Sequence, residues 1–268
     1  MIAIAHFIAI SCYIGAAALA ALPFARRVRA PVGFVIALLA AGAAVHAAGL
    51  AEFAMRAGAA SVTGLGPALS FAGFVLAVAL IVVESLAQEV TLSLAAAPLA
   101  ALMTIAGNVT GLRPLLDPGG ARASWLVLHI VLSFVGIAAY ATAAAAGTMY
   151  LVARRELKSA KFGAIYRFFP PLETLDKVNH FSSIAGFMGL TLGVALAGAS
   201  SIAYRAVVMP QSVWGMGAWI SVRALARGRL LRGWQARRAA LMSALTFASV
   251  IALYLVFRIT ALNRGQFL

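Results

Sequence analysis

The residues of this chain best suited to chemistry are its four histidines, His6, His46, His129 and His180. All four fall in or beside long apolar stretches, where an ionisable group is costly and needs a partner or a function. Imidazole can stay neutral in such surroundings and still offer a lone pair to a metal, since its ordinary pKa is about 6.5. Each histidine can equally serve as a hydrogen-bonding link between helices. Trp125 precedes His129 by one helical turn and shares its face. Trp214 and Trp219 fall in a later segment, where Trp214 can add to a flat aromatic platform or to an interfacial belt, the role that suffices for Trp125 and Trp234. Acidic chemistry is scarce. Of the carboxylates, Glu52 stands four residues before Arg56, Glu84 and Glu89 flank a short turn, and no apolar stretch carries a central acid. Proton-coupled transport is disfavoured on that ground. The chain has no HExxH, CxxC, GxSxG or GxxxxGK[ST] pattern, so zinc hydrolysis, dithiol redox chemistry, serine acyl transfer and nucleotide binding of the P-loop kind have no signature in it.

Composition dictates the elements that must hold these residues. Apolar residues make up 63% of the 268 and charged residues 10%, a balance that cannot clothe a soluble surface. The expected fold is an all-α polytopic membrane bundle. A span needs about 20 mainly apolar residues to cross ~30 Å of hydrocarbon. Eight stretches qualify by length, near 2–23, 31–52, 65–84, 90–107, 124–153, 180–204, 210–226 and 239–262. The seventh is the most interrupted, by Pro210, Gly215, Gly217 and Arg223. Residues 1–123 would form an N-terminal set of four spans and 124–268 a C-terminal set. Most of the 21 basic residues fall after the first, fifth and seventh spans, so those loops are expected in the cytoplasm and both termini outside. His6, His46 and His129 then lie toward the outer end of the bundle and His180 at the cytoplasmic face. The net charge of +14 reads as topology signal and as contact with anionic lipid, not as a nucleic-acid surface. The single cysteine, Cys12, excludes an intramolecular disulfide. After the Pro170-Pro171 break, Leu172, Leu175 and Val178 alternate with polar residues at helical spacing, which predicts a short amphipathic helix leading into the sixth span. Gly189, Gly193 and Ala197 give that span a ridge of small residues for close helix packing.

Three blocks of the chain resemble the integral-membrane cytochrome c assembly proteins of the CcsA, CcmC and ResC type, most closely the shorter YpjD/HemX-like subgroup. The first, 125–152, opens with Trp125 and Leu128-His129 and continues into an alanine-rich run. The second, 169–198, holds PPLETLD and then GFMGLTL. The third, 219–254, carries Trp219 and GWQARRAAL. The resemblance implies haem held at the exterior face on a tryptophan-rich segment, with outer histidines as axial ligands. His129 falls on the first of those histidines. Ungapped counting puts Pro210 on the proline after the family's Trp-Asp pair, which places Val208 and Met209 on the pair itself and Tyr204 on an earlier aromatic position. Most of the tryptophan signature is therefore replaced here, and no histidine follows the last span. A second axial ligand would have to come from His46, His6 or Met209. His180 stands where the family carries Tyr or Phe.

These readings lead to an inner-membrane protein without catalytic turnover that binds or delivers haem in cytochrome c assembly. His129 would be the iron ligand, and Trp125, Tyr204, Pro210, Trp214, Trp219 and His46 would shape the site. The alternative is a non-haem subunit that docks a cytochrome-maturation or tetrapyrrole-synthesis protein through its basic loops.

Overall fold

The structure is a computed structural model. It describes all residues except 27, 29, 114–119, 160–168, 206–208, 232, 234 and 263–268; at 26, 59, 60, 120, 121, 209–211, 230, 255 and 257–262 only the backbone is described. Trp234, Val208 and the loop cations Arg27, Arg29, Lys161, Arg167 and Arg232 thus lie outside the described residues, as do the side chains of Met209 and Pro210.

Among the described residues the chain is all-helical. The helices are α1 (Ile2–Arg26), α2 (Val32–Ala57), α3 (Leu65–Ala87), α4 (Ser93–Thr110), α5 (Gly120–Ser159), α6 (Leu172–Tyr204), α7 (Met209–Leu230) and α8 (Ala236–Leu262), with a single 3-10 turn at Gly58–Val62. Seven are long and apolar enough to cross a membrane. The exception is α7, the most interrupted of the eight expected stretches. It forms a helix where one was expected, but Arg223, Arg227 and Arg229 in its second half leave it too polar to qualify.

Two expectations change in detail. No separate amphipathic helix precedes the sixth span, because α6 runs unbroken from Leu172. Pro171 supplies the extended residue before its first turn, and nothing after it interrupts helical hydrogen bonding. Helix α5, at 40 residues, has a rise of about 60 Å, twice the hydrocarbon thickness. Its basic end, with Arg154, Arg155 and Lys158, therefore continues beyond the apolar layer.

The helices pack in two groups. The N-terminal group pairs α1 with α2, α1 with α4, and α3 with α4; the C-terminal group is a ring in which α5 meets α6, α6 meets α7, α7 meets α8 and α8 returns to α5. The ring's core gathers Tyr140, Leu190, Val222 and Leu225, with Ile137, Phe187, Met242 and Phe247 against them. Helix α3 links the groups through α5, where Phe71 meets Phe134 edge-on at 5.8 Å. The α5–α6 contact is the most extensive in the molecule, and glycine makes it so. A Cβ at Gly189 would stand 2.9 Å from the Cα of Gly136, and a Cβ at Gly136 would stand 2.7 Å from the backbone nitrogen of Leu190. The small-residue ridge expected on this helix is thus in use at Gly189, and at Gly193, which packs on Ser133.

Glu84 explains the short turn between α3 and α4. Its side chain is fully buried, and its two oxygens accept from the Ser93 backbone N–H at 2.7 Å and the Ser93 hydroxyl at 2.8 Å. The carboxylate of one helix caps the first turn of the next, taking the shorter share of an N–H that also reaches the Val90 carbonyl at 3.2 Å. Glu84→Leu should destabilise the protein by about 1–3 kcal/mol and speed hydrogen exchange at the first amides of α4. Glu84→Gln keeps one acceptor and should fall between the two; equal effects from both variants would show that the cap contributes nothing.

Candidate functional site

His129 sits on α5 with its Nδ1 2.8 Å from the carbonyl oxygen of Gly193 on α6. A carbonyl only accepts, so Nδ1 carries the proton and donates, which leaves the Nε2 lone pair free. Among the described residues no hydrogen-bond partner is found for Nε2. Anchoring one ring nitrogen on a carbonyl while the other stays open is how proteins prepare a histidine to ligate metal. The anchor is available because Gly193 lets the two helices approach closely.

The register of the ring shows what surrounds this imidazole. His129 stands eleven residues before Tyr140, and Trp214 eleven residues before Leu225. Eleven residues are close to three whole turns, so each lies on the same stripe of its helix as a core residue. Both are displaced from the core by about 16 Å toward the same end of the ring, since α5 and α7 run in the same direction. Trp214 donates its indole N–H to the Val250 carbonyl at 3.4 Å and meets the ring of Tyr254 edge-on at 5.6 Å. Trp219 donates to the Thr191 hydroxyl at 3.0 Å, with the Arg223 guanidinium 5.3 Å from its ring. Tyr204 lies at that same end under the Arg122 guanidinium, 5.6 Å away. Trp125 is 36% exposed one turn above His129. Pro210 is placed only as a backbone position in the first turn of α7.

His46 belongs elsewhere. It is fully buried among α1, α2 and α3, as is His6. His6 Nδ1 donates to the Ile2 carbonyl at 2.8 Å, so its Nε2 accepts from the Ser70 hydroxyl at 2.7 Å. The Ser70 oxygen then accepts from His46 Nε2 at 3.0 Å, and His46 Nδ1 accepts from the Tyr13 hydroxyl at 3.2 Å. Each group donates once along this line, which runs from Tyr13 to the Ile2 carbonyl with both imidazoles neutral. The two rings meet edge-on at 4.8 Å. With all four ring nitrogens engaged, neither histidine has a lone pair free to join His129 on one iron. Sequence reading singled out both histidines but missed Ser70 and Tyr13; the seven-residue spacing of His6 and Tyr13, two helical turns, was the available signal.

His180 is also committed. With Asp176 one turn earlier on α6 it grips Arg229 of α7, whose Nη2 lies 2.5 Å from the Asp176 carboxylate and whose Nε donates to His180 Nδ1 at 3.2 Å. Glu52 and Arg56 form the ion pair that their spacing predicts.

Among the described residues no three His, Cys, Asp or Glu side chains gather to hold a metal ion. Bare iron or zinc finds no cage among these described residues. Iron in a porphyrin brings four nitrogens of its own and asks the protein for only one or two axial ligands and an apolar or aromatic setting. An anchored His129 at the same end of the ring as Trp214 and Tyr254 could meet that requirement with one ligand.

The sequence profile described as Cytochrome C assembly protein matches residues 62–262. The chain belongs to the cytochrome c assembly protein family. The matched region starts ahead of α3, so family character reaches well beyond the three motif blocks. Curated relatives include the "Cytochrome c biogenesis protein CcsA" of Prochlorococcus marinus (strain MIT 9312), 29% identical over 157 residues, which are 50% of this chain and 50% of the relative. The protein of the same name from Synechococcus sp. (strain CC9605) is 27% identical over 159 residues, 50% of this chain and 52% of the relative. That of Synechococcus sp. (strain CC9311) is 30% identical over 152 residues, 46% of this chain and 50% of the relative. The chain thus aligns with about half the length of the curated relatives it matches. No solved structure matches it. The family membership and the seven span-capable helices make this a multi-pass membrane protein.

Proposed function

We propose that this family member binds or delivers haem at the outer end of the α5–α8 ring, as an accessory without turnover of its own. The observation that carries the reading is the His129 imidazole, anchored through Nδ1 on Gly193 and open at Nε2. Haem would supply iron with an axial position for that lone pair. The chain's own contribution is to fix the ring, to present Trp214 and Tyr254 as aromatic walls, and to set Arg122 near the mouth, where it can pair a propionate. With His6 and His46 tied up in their own network, His129 would be the histidine that holds the group. The distribution of basic residues supports both termini outside, this mouth facing the periplasm, and residence in a bacterial inner membrane. Placement in the YpjD/HemX-like subgroup rests on the three sequence blocks, and haem and other maturation proteins are the partners this reading calls for. Protein purified in mild detergent from its native membrane should carry haem, detectable as a pyridine haemochrome. Colourless protein that also fails to take up added haem would refute the proposal.

The second reading, a non-haem subunit that regulates cytochrome maturation or tetrapyrrole synthesis through a protein partner, is favoured by the exposed basic residues Arg155, Lys158 and Arg237 at the opposite end. It requires charge reversal there to abolish function in cells while His129→Ala does not, with unchanged topology in both strains.

A further inference from the structure

A side-opening groove of about 240 Å³ lies where the two helix groups meet, walled by α3, α4, α5 and α8. Leu76, Leu99, Ala141, Ala145, Ala244 and Phe247 form most of its wall. The one hydroxyl in the lining, that of Thr148, already donates to the Ala144 carbonyl at 2.8 Å. The groove therefore offers packing surface and no directed polar contact, which suits a hydrocarbon chain.

Helical register says what stands at its end. Ala141, Ala145 and Thr148 recur at four and three residues along α5, and seven residues after Thr148 the same face carries Arg155. On α8, Arg237 precedes Ala244 by the same seven residues. The two helices pack antiparallel, with Gly147 against Ala240 and Ser243, so both arginines lie below the same end of the groove. Each is about 10 Å, two helical turns, from the lining. Both are exposed. Arg154 and Lys158 add positive charge at this level and Glu156 is the acid between them. An apolar trough with an arginine two turns beyond one end on each of two neighbouring helices is complementary to one kind of molecule. We infer that this groove holds an acyl chain of an anionic phospholipid, with its phosphate between Arg155 and Arg237. A second copy of this chain is the wrong occupant, because two-fold pairing would set the same arginines against each other.

Native mass spectrometry of the detergent-solubilised full chain, mixed with dioleoyl phosphatidylglycerol or dioleoyl phosphatidylcholine, tests the assignment. Each arginine near a lipid headgroup contributes about a fivefold preference for the anionic lipid, so the pair should give roughly 25-fold. In Arg155→Gln/Arg237→Gln that preference should fall to near unity. Ala145→Phe, which fills the groove and leaves the charges in place, should reduce retention of both lipids. Arg113→Gln at the far end of the bundle should match wild type, and the unfolding midpoints of all variants are measured in parallel. Equal retention of the two lipids by wild type would overturn the assignment. So would a preference that survives the double substitution, or lipid retention undiminished in folded Ala145→Phe.

Discussion

Gly189→Val should lower the thermal unfolding midpoint of the detergent-solubilised protein by about 5 °C or more, while Gly198→Val on the same helix should leave it almost unchanged. The contrast comes from what each new side chain meets. At Gly189 a Cβ would press on the backbone of Gly136, at 2.9 Å from both its Cα and its nitrogen, and approach the Leu132 carbonyl at 3.1 Å. Backbone cannot rotate away as a side chain can, so α5 and α6 must separate along the largest contact in the molecule. Overpacking costs about 1–3 kcal/mol even where flexible side chains absorb part of it, and this site belongs at the upper end. At Gly198 nothing lies within 4 Å, and valine is a slightly better helix former than glycine. The same substitution should also weaken anything held by His129, because the carbonyl that anchors its Nδ1 belongs to Gly193, one turn along α6. Equal midpoints for the two variants would mean that α5 and α6 do not pack as described.

Ser70→Ala should destabilise the protein by about 1–3 kcal/mol, more than removal of one hydroxyl suggests. The Ser70 oxygen stands between two imidazoles. Its loss strands the Nε2 proton of His46 and the Nε2 lone pair of His6, both fully buried. In hydrocarbon-like surroundings the cost is set by the groups left behind, not by the one removed. A cycle separates the two. In a His6→Leu/His46→Leu background nothing depends on Ser70, so Ser70→Ala should then cost only a few tenths of a kcal/mol. The coupling of about 1 kcal/mol or more between the steps is the signature of the network. A cost for Ser70→Ala that is the same in both backgrounds would show that the histidines do not use it.

Much of this architecture is legible in the residues themselves. Apolar runs of membrane-crossing length locate seven helices, since backbone groups in lipid must pair within their own segment. The weakness of α7 was legible too, in the Arg223 that interrupts its apolar run and is followed by arginines at 227 and 229. Run length alone under-read α5, because polar residues past an apolar core can extend a helix into the headgroup layer and beyond. The Gly189–Gly193 ridge was visible as spacing. The site was visible only in part. His129 could be singled out by type and by likeness to a family, but its anchor is 64 residues away on Gly193, and no local pattern links the two. Ser70 escaped because serine is unremarkable in sequence and acquires its role only when α1, α2 and α3 assemble around it. Glu84 looked like an acid at a turn; its capping role depends on where Ser93 lands after the chain reverses.

The central claim, that the open face of His129 receives haem iron, is tested most directly by titrating haemin into purified apoprotein and following the Soret band. Wild type should shift and sharpen that band with saturable, one-to-one stoichiometry. His129→Ala, with its fold verified by circular dichroism and thermal melting, should lose the shift, and added imidazole should restore it by filling the vacated axial position. A Soret shift of undiminished amplitude and affinity in folded His129→Ala would contradict the account.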